Sequence, residues 1–222
     1  MTVMAVGPQN KVFSAPDTYM NKLVAGKECR DIVSLENSIE ENLINISSKT
    51  GRSFSDTKVI VLDRPRNQYI IDELNHFKVQ IELIKDGDIA ASLRVAAGEA
   101  DMYMGIGSAP EGVIGATAVK GLGGHFDGKL CFHSNEAKQR AIDMSKHAID
   151  AVLDIDKLCE STNSMFIATG VCNGWIDGVE IVEDKAYTTT VIIDVDSAQI
   201  NRISNFHSIK NVNEYIMKGG VQ

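Results

Sequence analysis

Cysteine pairs, positive charge and long apolar runs are all scarce in this sequence, and each scarcity narrows what the protein can be. Its four cysteines, at 29, 131, 159 and 172, lie far apart with no Cys-x-x-Cys pair. That spacing argues against a disulfide framework or a cysteine metal site and leaves reduced, mostly buried thiols as the expectation. Lysine and arginine number 22 against 30 aspartates and glutamates, for a formal net charge of −8. A surface of that sign repels nucleic acid and anionic membrane, so a phosphate-bearing ligand needs a local basic pocket. No apolar stretch approaches the roughly eighteen residues of a membrane span, and no basic segment followed by an apolar run opens the chain. A cytoplasmic protein with a small partner is the expectation.

Several familiar site patterns are missing as well. There is no Gly-x-x-x-x-Gly-Lys-[Ser/Thr], no Gly-x-Ser-x-Gly and no His-Glu-x-x-His, and Gly105-Ile106-Gly107 lacks the third glycine of the dinucleotide fingerprint. Histidines 76, 125, 133, 147 and 207 have no metal-ligand spacing. Trp175, in an Asn-Gly-Trp-Ile-Asp-Gly run, reads as a packing residue on a tight turn.

The hydrophobic pattern that is present reads as α/β. Thr2 to Val6 and Lys11 to Ser14 read as two strands joined at Gly7-Pro8-Gln9-Asn10. Starting on a strand at the second residue raises the expectation that a longer protein has lost its beginning. Ser34 to Gly51 reads as a helix with Ile39, Leu43 and Ile46 on one face, Ser34 as N-cap and Gly51 as C-cap. The polar stretch 52–57 suggests an internal boundary, dividing 1–54 from 55–222.

From there a strand, a charged or glycine-rich turn and a helix recur three times. The strands are Lys58 to Leu62, Val79 to Ile84 and Asp101 to Ile106. The helices are Asn67 to Phe77, Ile89 to Ala97 and one running through Val119. This rhythm predicts a parallel sheet with crossover helices. A further helix is expected over Asn135 to Val152 and a fourth apolar strand over Met165 to Ala168. Three β-rich segments, Val179 to Val182, Ala186 to Val195 and Gln199 to Ser204, predict an antiparallel C-terminal meander.

Ligands of open parallel sheets bind beyond the carboxyl ends of the strands, where this sequence has DRPR (63–66), DGD (86–88), GSAPEG (107–112) and ATG (168–170). Arg64 and Arg66 flank a stiffening Pro65 and suit phosphate oxygens. Asp86 and Asp88 can accept hydrogen bonds from sugar hydroxyls or hold a metal-bound water. Glycines 87, 105, 107 and 112 can let backbone N–H groups approach an anion, and Glu111 is a hard oxygen donor suited to Mg²⁺ or Mn²⁺. Taken singly, each has a plainer reading: a turn, a solvated charge, a helix-dipole acid. Their convergence on one edge is what points to a shared anion or polyol site.

Read together, DTYMNK (17–22), LDRPR (62–66), DGDIA (86–90), MGIGSAPEGV (104–113), GLGG (121–124) and ATGV (168–171) resemble the ordered motif set of class II fructose-1,6-bisphosphatases, the bacterial type. Some members of that family also act as sedoheptulose-1,7-bisphosphatases. The resemblance covers essentially the whole chain. It implies a layered α/β architecture related to inositol-phosphatase-like enzymes and metal-dependent hydrolysis of fructose 1,6-bisphosphate to fructose 6-phosphate with Mn²⁺ or Mg²⁺. For intact members it implies a homo-oligomer.

By position, the resemblance assigns Tyr19, Arg64, Pro65, Arg66, Asp86, Gly87 and Asp88 to the sugar bisphosphate and Glu111 to the metal. Ser108 stands where members commonly have a glycine that contacts substrate. Members also carry an N-terminal portion with an Asp-Pro-x-Asp/Glu-Gly-Thr motif and most of the metal ligands, which this sequence does not contain. The alternative expectation is therefore a catalytically silent fragment that binds sugar phosphate.

Overall fold

A computed structural model describes residues 1–144 and 149–209. In chain order its strands and helices are β1 (Thr2–Val6), β2 (Tyr19–Ala25), α1 (Ile39–Thr50), β3 (Lys58–Leu62), α2 (Gln68–His76), β4 (Gln80–Ile84), α3 (Asp88–Ala96), β5 (Met102–Ser108), α4 (Ala109–Gly121), β6 (His125–Cys131), α5 (Asn135–Met144), β7 (Val152–Asp154), α6 (Ile155–Leu158), β8 (Met165–Thr169), β9 (Glu180–Val182), β10 (Lys185–Asp194) and β11 (Ile200–Ser208). No helix among the described residues is long and apolar enough to cross a membrane.

Two sheets organise these elements. The larger has six strands in the order β4-β3-β5-β2-β6-β7. Strands β4, β3 and β5 pair in parallel, while β2 lies antiparallel between β5 and β6, and β7 is antiparallel to β6. The expectation of a parallel sheet thus holds for the three strands of the repeating unit, and the sheet as a whole is mixed. Its central strand escapes the hydrophobic pattern because Asn21 and Lys22 interrupt the run YMNKLVA. The second sheet joins β1, β8, β10 and β11 in that order, with β9 also on β10, and every pairing in it is antiparallel. The C-terminal meander is present, but β8 belongs to it and not to the parallel strands.

Burial defines the layers. Strand alternation turns Leu23, Val59, Val61, Met102 and Met104 toward Leu43 and Ile46 of α1 and Ile70 and Leu74 of α2. The opposite face, with Val24, Ile60, Tyr103 and Phe126, meets Ala91 and Val95 of α3 and Val113, Ala116 and Val119 of α4. The other sides of α3 and α4, through Ile89, Leu93 and Ala118, pack on Phe166, Ala168, Val191 and Ile193 of the second sheet. The order is helices, mixed sheet, helices, antiparallel sheet. Helix α4 can sit between two sheets because nine of its thirteen residues, most of them small, are buried. A Cβ at Gly121 would come within 2.5 Å of Ile193 Cγ2.

Some boundaries differ from the sequence reading. Lys11 to Ser14 forms one isolated bridge, Val12 to Cys159, in place of a strand. Helix α1 is capped by Ser38, whose hydroxyl accepts from Glu41 N while Glu41 accepts from Ser38 N in a capping box; Ser34 instead donates to Asp127. The helix expected over 135–152 ends at Met144 in the described part, Val152 opens β7, and 145–148, with His147, lie outside the described residues. Strand β2, from the first 54 residues, lies between β5 and β6 in the mixed sheet. All four cysteines are free, Cys29 and Cys159 buried, Cys131 half-buried and Cys172 exposed.

Candidate functional site

Because β3, β4 and β5 are parallel, their carboxyl ends share one rim of the mixed sheet. Antiparallel β2 starts at that rim, with Tyr19 paired to Ser108 and also to Cys131 at the end of β6. Helices α3 and α4 begin there as well, bringing two positive helix ends to the same place.

The turn after β3 is held by Asn67, which is fully buried. Its Nδ2 donates to Leu62 O and its Oδ1 accepts from Ile106 N, each at 2.8 Å, tying β3 to β5. Arg66 Nε donates to Ile106 O at 2.7 Å, and its guanidinium carbon sits 4.5 Å from the centre of the Tyr19 ring. The contact is a cation–π one. It leaves the Nη1 and Nη2 fork without a hydrogen-bond partner among the described residues. Tyr19, 39% exposed, also meets His133 edge-on at 5.9 Å. Arg64 Nη1 donates to Asp63 O at 3.2 Å, and Pro65 opens the tight turn Pro65–Asn67.

After β4, Asp86 caps its own turn by accepting from Gly87 N at 2.8 Å. Gly87 takes φ +93, a left-handed conformation for which glycine is suited. Asp88, the first residue of α3, is 5% exposed and forms an ion pair with Lys22, which is 1% exposed. Burial pulls the Lys22 ammonium below its ordinary pKa, and Asp88 opposes that pull.

At the end of β5, Ser108 precedes α4 and its hydroxyl makes no capping bond. Glu111, in the first turn of α4, lies beside Asp88. Desolvation first, and then the neighbouring Asp88 carboxylate, push its pKa up to about 7. Tyr103 stands beneath this group with 0% exposure and a hydroxyl that has no hydrogen-bond partner among the described residues. Its pKa lies well above the ordinary tyrosine value, chiefly through burial, with Asp88 and Glu111 adding to the shift.

Arg66, Asp88, Glu111 and Tyr19 therefore meet at one rim, with Asp86 at its edge near enough to act on Glu111. The fourth turn does not join them. Ala168-Thr169-Gly170 ends a strand of the other sheet, and its hydrogen bonds run to Thr189 and Thr190. The expected anion cradle of glycines is also corrected. Gly105 and Gly107 lie inside β5 and Gly112 inside α4, and each makes room for a side chain. A Cβ at Gly107 would lie 2.5 Å from Asp88 Oδ2 and 3.1 Å from Lys22 Nζ; one at Gly112 would lie 2.6 Å from Met20 Sδ.

Sequence reasoning overlooked Lys22, Asn67 and Tyr103 as site residues. For Lys22 there was a signal: a lysine that alternation puts on one strand face with Met20 and Val24 needs a buried acid as partner. Asn67 and Tyr103 had none, since their role depends on contacts between strands distant in sequence.

A divalent cation does not fit the residues present. Among the described residues no three His, Cys, Asp or Glu side chains are placed to hold a metal. At the rim the carboxylates are Glu111, Asp88 and, at its edge, Asp86; Lys22 already engages Asp88, and Asp86 accepts from Gly87 N.

The comparisons agree with the motif reading. The family model described as "Bacterial fructose-1,6-bisphosphatase, glpX-encoded" matches residues 1–207. A Haemophilus influenzae protein named "Fructose-1,6-bisphosphatase class 2" is 34% identical over 228 residues, covering 96% of this chain and 68% of the relative. A Trichodesmium erythraeum protein named "D-fructose 1,6-bisphosphatase class 2/sedoheptulose 1,7-bisphosphatase" is 32% identical over 222 residues, covering 93% of this chain and 64% of the relative. One of the same name from Prochlorococcus marinus is 34% identical over 230 residues, covering 95% of this chain and 68% of the relative. The chain spans 64% to 68% of the length of these relatives.

Proposed function

The chain belongs to the bacterial fructose-1,6-bisphosphatase family, and we propose that it carries the substrate-holding part of the site that hydrolyses fructose 1,6-bisphosphate to fructose 6-phosphate and phosphate. The observation that carries this reading is the meeting of Arg66, Tyr19, Asp88 and Glu111 at one sheet rim. The Nη fork of Arg66, stacked on Tyr19, binds a phosphate group in bidentate fashion, and Arg64 adds charge from the same turn. Asp86 and Asp88 accept hydrogen bonds from sugar hydroxyls, Tyr19 orients the sugar, and backbone at Gly87 and Ser108 lines its path. Sedoheptulose 1,7-bisphosphate presents similar end groups and is a second candidate substrate. The four-layer order supports kinship with inositol-phosphatase-like enzymes.

Phosphoryl transfer to water needs charge neutralised at the scissile phosphate. Mg²⁺ or Mn²⁺ is the cation the family resemblance implies, and Glu111 would give it one carboxylate. The described residues supply too few donors to complete the cage. That observation favours a second reading for the 222 residues taken alone: a sugar-phosphate binder that releases little or no phosphate.

A phosphate-release assay with fructose 1,6-bisphosphate and each metal separates the two. The expected result is binding without appreciable turnover. Turnover abolished by Glu111→Ala would establish the chain as the complete catalyst, and absence of binding would remove the sugar-phosphate reading altogether.

A further inference from the structure

The least expected feature of the rim is a lysine sealed inside it. Lys22 lies at the middle of β2, opposite Gly105, on the face covered by α3 and α4. Its ammonium is 1% exposed and paired with Asp88. Three glycines frame it: Gly107, where a Cβ would lie 3.1 Å from Lys22 Nζ; Gly112, where one would lie 3.0 Å from Lys22 Cε; and Gly105, its partner across the strands. A lysine tolerated only as packing would snorkel to water. This one is led inward through space cleared by glycines, to the one carboxylate that starts α3 at the rim.

An isolated buried carboxylate costs far more than a paired one, and the charge that compensates it sets what else can bind there. At this rim a cation is already covalently present. Resting on the sugar-phosphate reading above, we infer that Lys22 is a further positioning residue of the site: its ammonium stands where a divalent cation would otherwise sit against Asp88. It fixes the carboxylate through Oδ2, so the chain grips sugar bisphosphate without a divalent metal.

The test uses the full chain as wild type, as Lys22→Met and as Lys22→Met with Asp88→Asn. Fructose 1,6-bisphosphate affinity is measured by calorimetry in EDTA and in MnCl₂, and the thermal midpoint is followed in both. Wild type binds equally in the two buffers, and its midpoint is indifferent to Mn²⁺. Lys22→Met loses about tenfold or more in EDTA, the scale of a lost charge-assisted contact, and Mn²⁺ restores both its affinity and its midpoint by taking the vacated position. The double variant lacks the carboxylate that Lys22 held and shows no Mn²⁺ rescue, which separates the effect from general destabilisation.

Should Lys22→Met fail to fold in EDTA, refolding on addition of Mn²⁺ is the same rescue, and its absence overturns the inference. Wild-type binding that requires Mn²⁺, or Lys22→Met binding as wild type does in EDTA, also overturns it. If wild type binds no sugar bisphosphate under either condition, the functional reading falls. The Mn²⁺ dependence of the Lys22→Met midpoint then still decides the role of the lysine.

Discussion

Gly107 shows how little slack the rim has. A methyl group there would sit 2.5 Å from Asp88 Oδ2 and 3.1 Å from Lys22 Nζ, so Gly107→Ala has to break or displace the buried ion pair. Overpacking of this kind costs about 1–3 kcal/mol, to be read from denaturant midpoints against wild type. A neutral outcome would mean that α3 shifts freely away from β5. The residue scale is also where the sequence was hardest to read. Arg66, Asp88 and Glu111 stood out because charges follow strand ends, whereas the partners that hold them, Lys22, Asn67 and Tyr103, sit in or beside apolar runs. Nothing in the order of residues says that Lys22 on β2 reaches Asp88 on α3; only folding, which pairs β2 with β5, brings them together.

Among the elements, the three strand–turn–helix units were legible nearly to the residue because local periodicity and turn chemistry agree there. Strands β2 and β6 were not, since Lys22 in one and Gly128 in the other break the apolar pattern, and both depend on tertiary pairing. The start of α1 shows a local choice that composition alone could not settle, with Ser34 and Ser38 both available as caps. Ser34 is drawn off to Asp127 at 2.9 Å, where Leu35 N also donates at 2.9 Å and His125 Nε2 lies 3.3 Å away. Ser38 completes the capping box. Ser38→Ala should therefore cost about 1 kcal/mol of stability, and Ser34→Ala should act instead through Asp127 and the β6 contact. Equal losses in thermal melts together with an unchanged capping signal in hydrogen exchange at Glu41 would contradict this division of roles.

At the scale of the molecule, charge networks stitch the layers where apolar packing thins at the sheet edge. Glu82 on edge strand β4 bonds to Arg94 of α3 and pairs with Lys58 of β3 at 2.9 Å. Hydrogen bonds from Arg94 and then Lys58 hold its carboxyl down to about 2. A carboxyl depressed in the folded state contributes stability above its ordinary pKa and loses it as pH falls toward the folded value. Glu82→Gln should thus be less stable than wild type at neutral pH, by about 1 kcal/mol once solvent screening is allowed for. The gap should close in the acid range below the ordinary glutamate pKa; a constant gap down to pH of about 2 would show that the pair is not what the acid limb reports. Over the same span the mixed sheet, two helical layers and antiparallel sheet place every proposed ligand contact at one rim, and the whole account depends on that convergence. Its most direct test is the calorimetric affinity of the chain for fructose 1,6-bisphosphate beside that of Arg66→Ala. The account predicts a loss of about 1.5–3 kcal/mol for the charge-assisted contact, and an affinity unchanged by the substitution would contradict it.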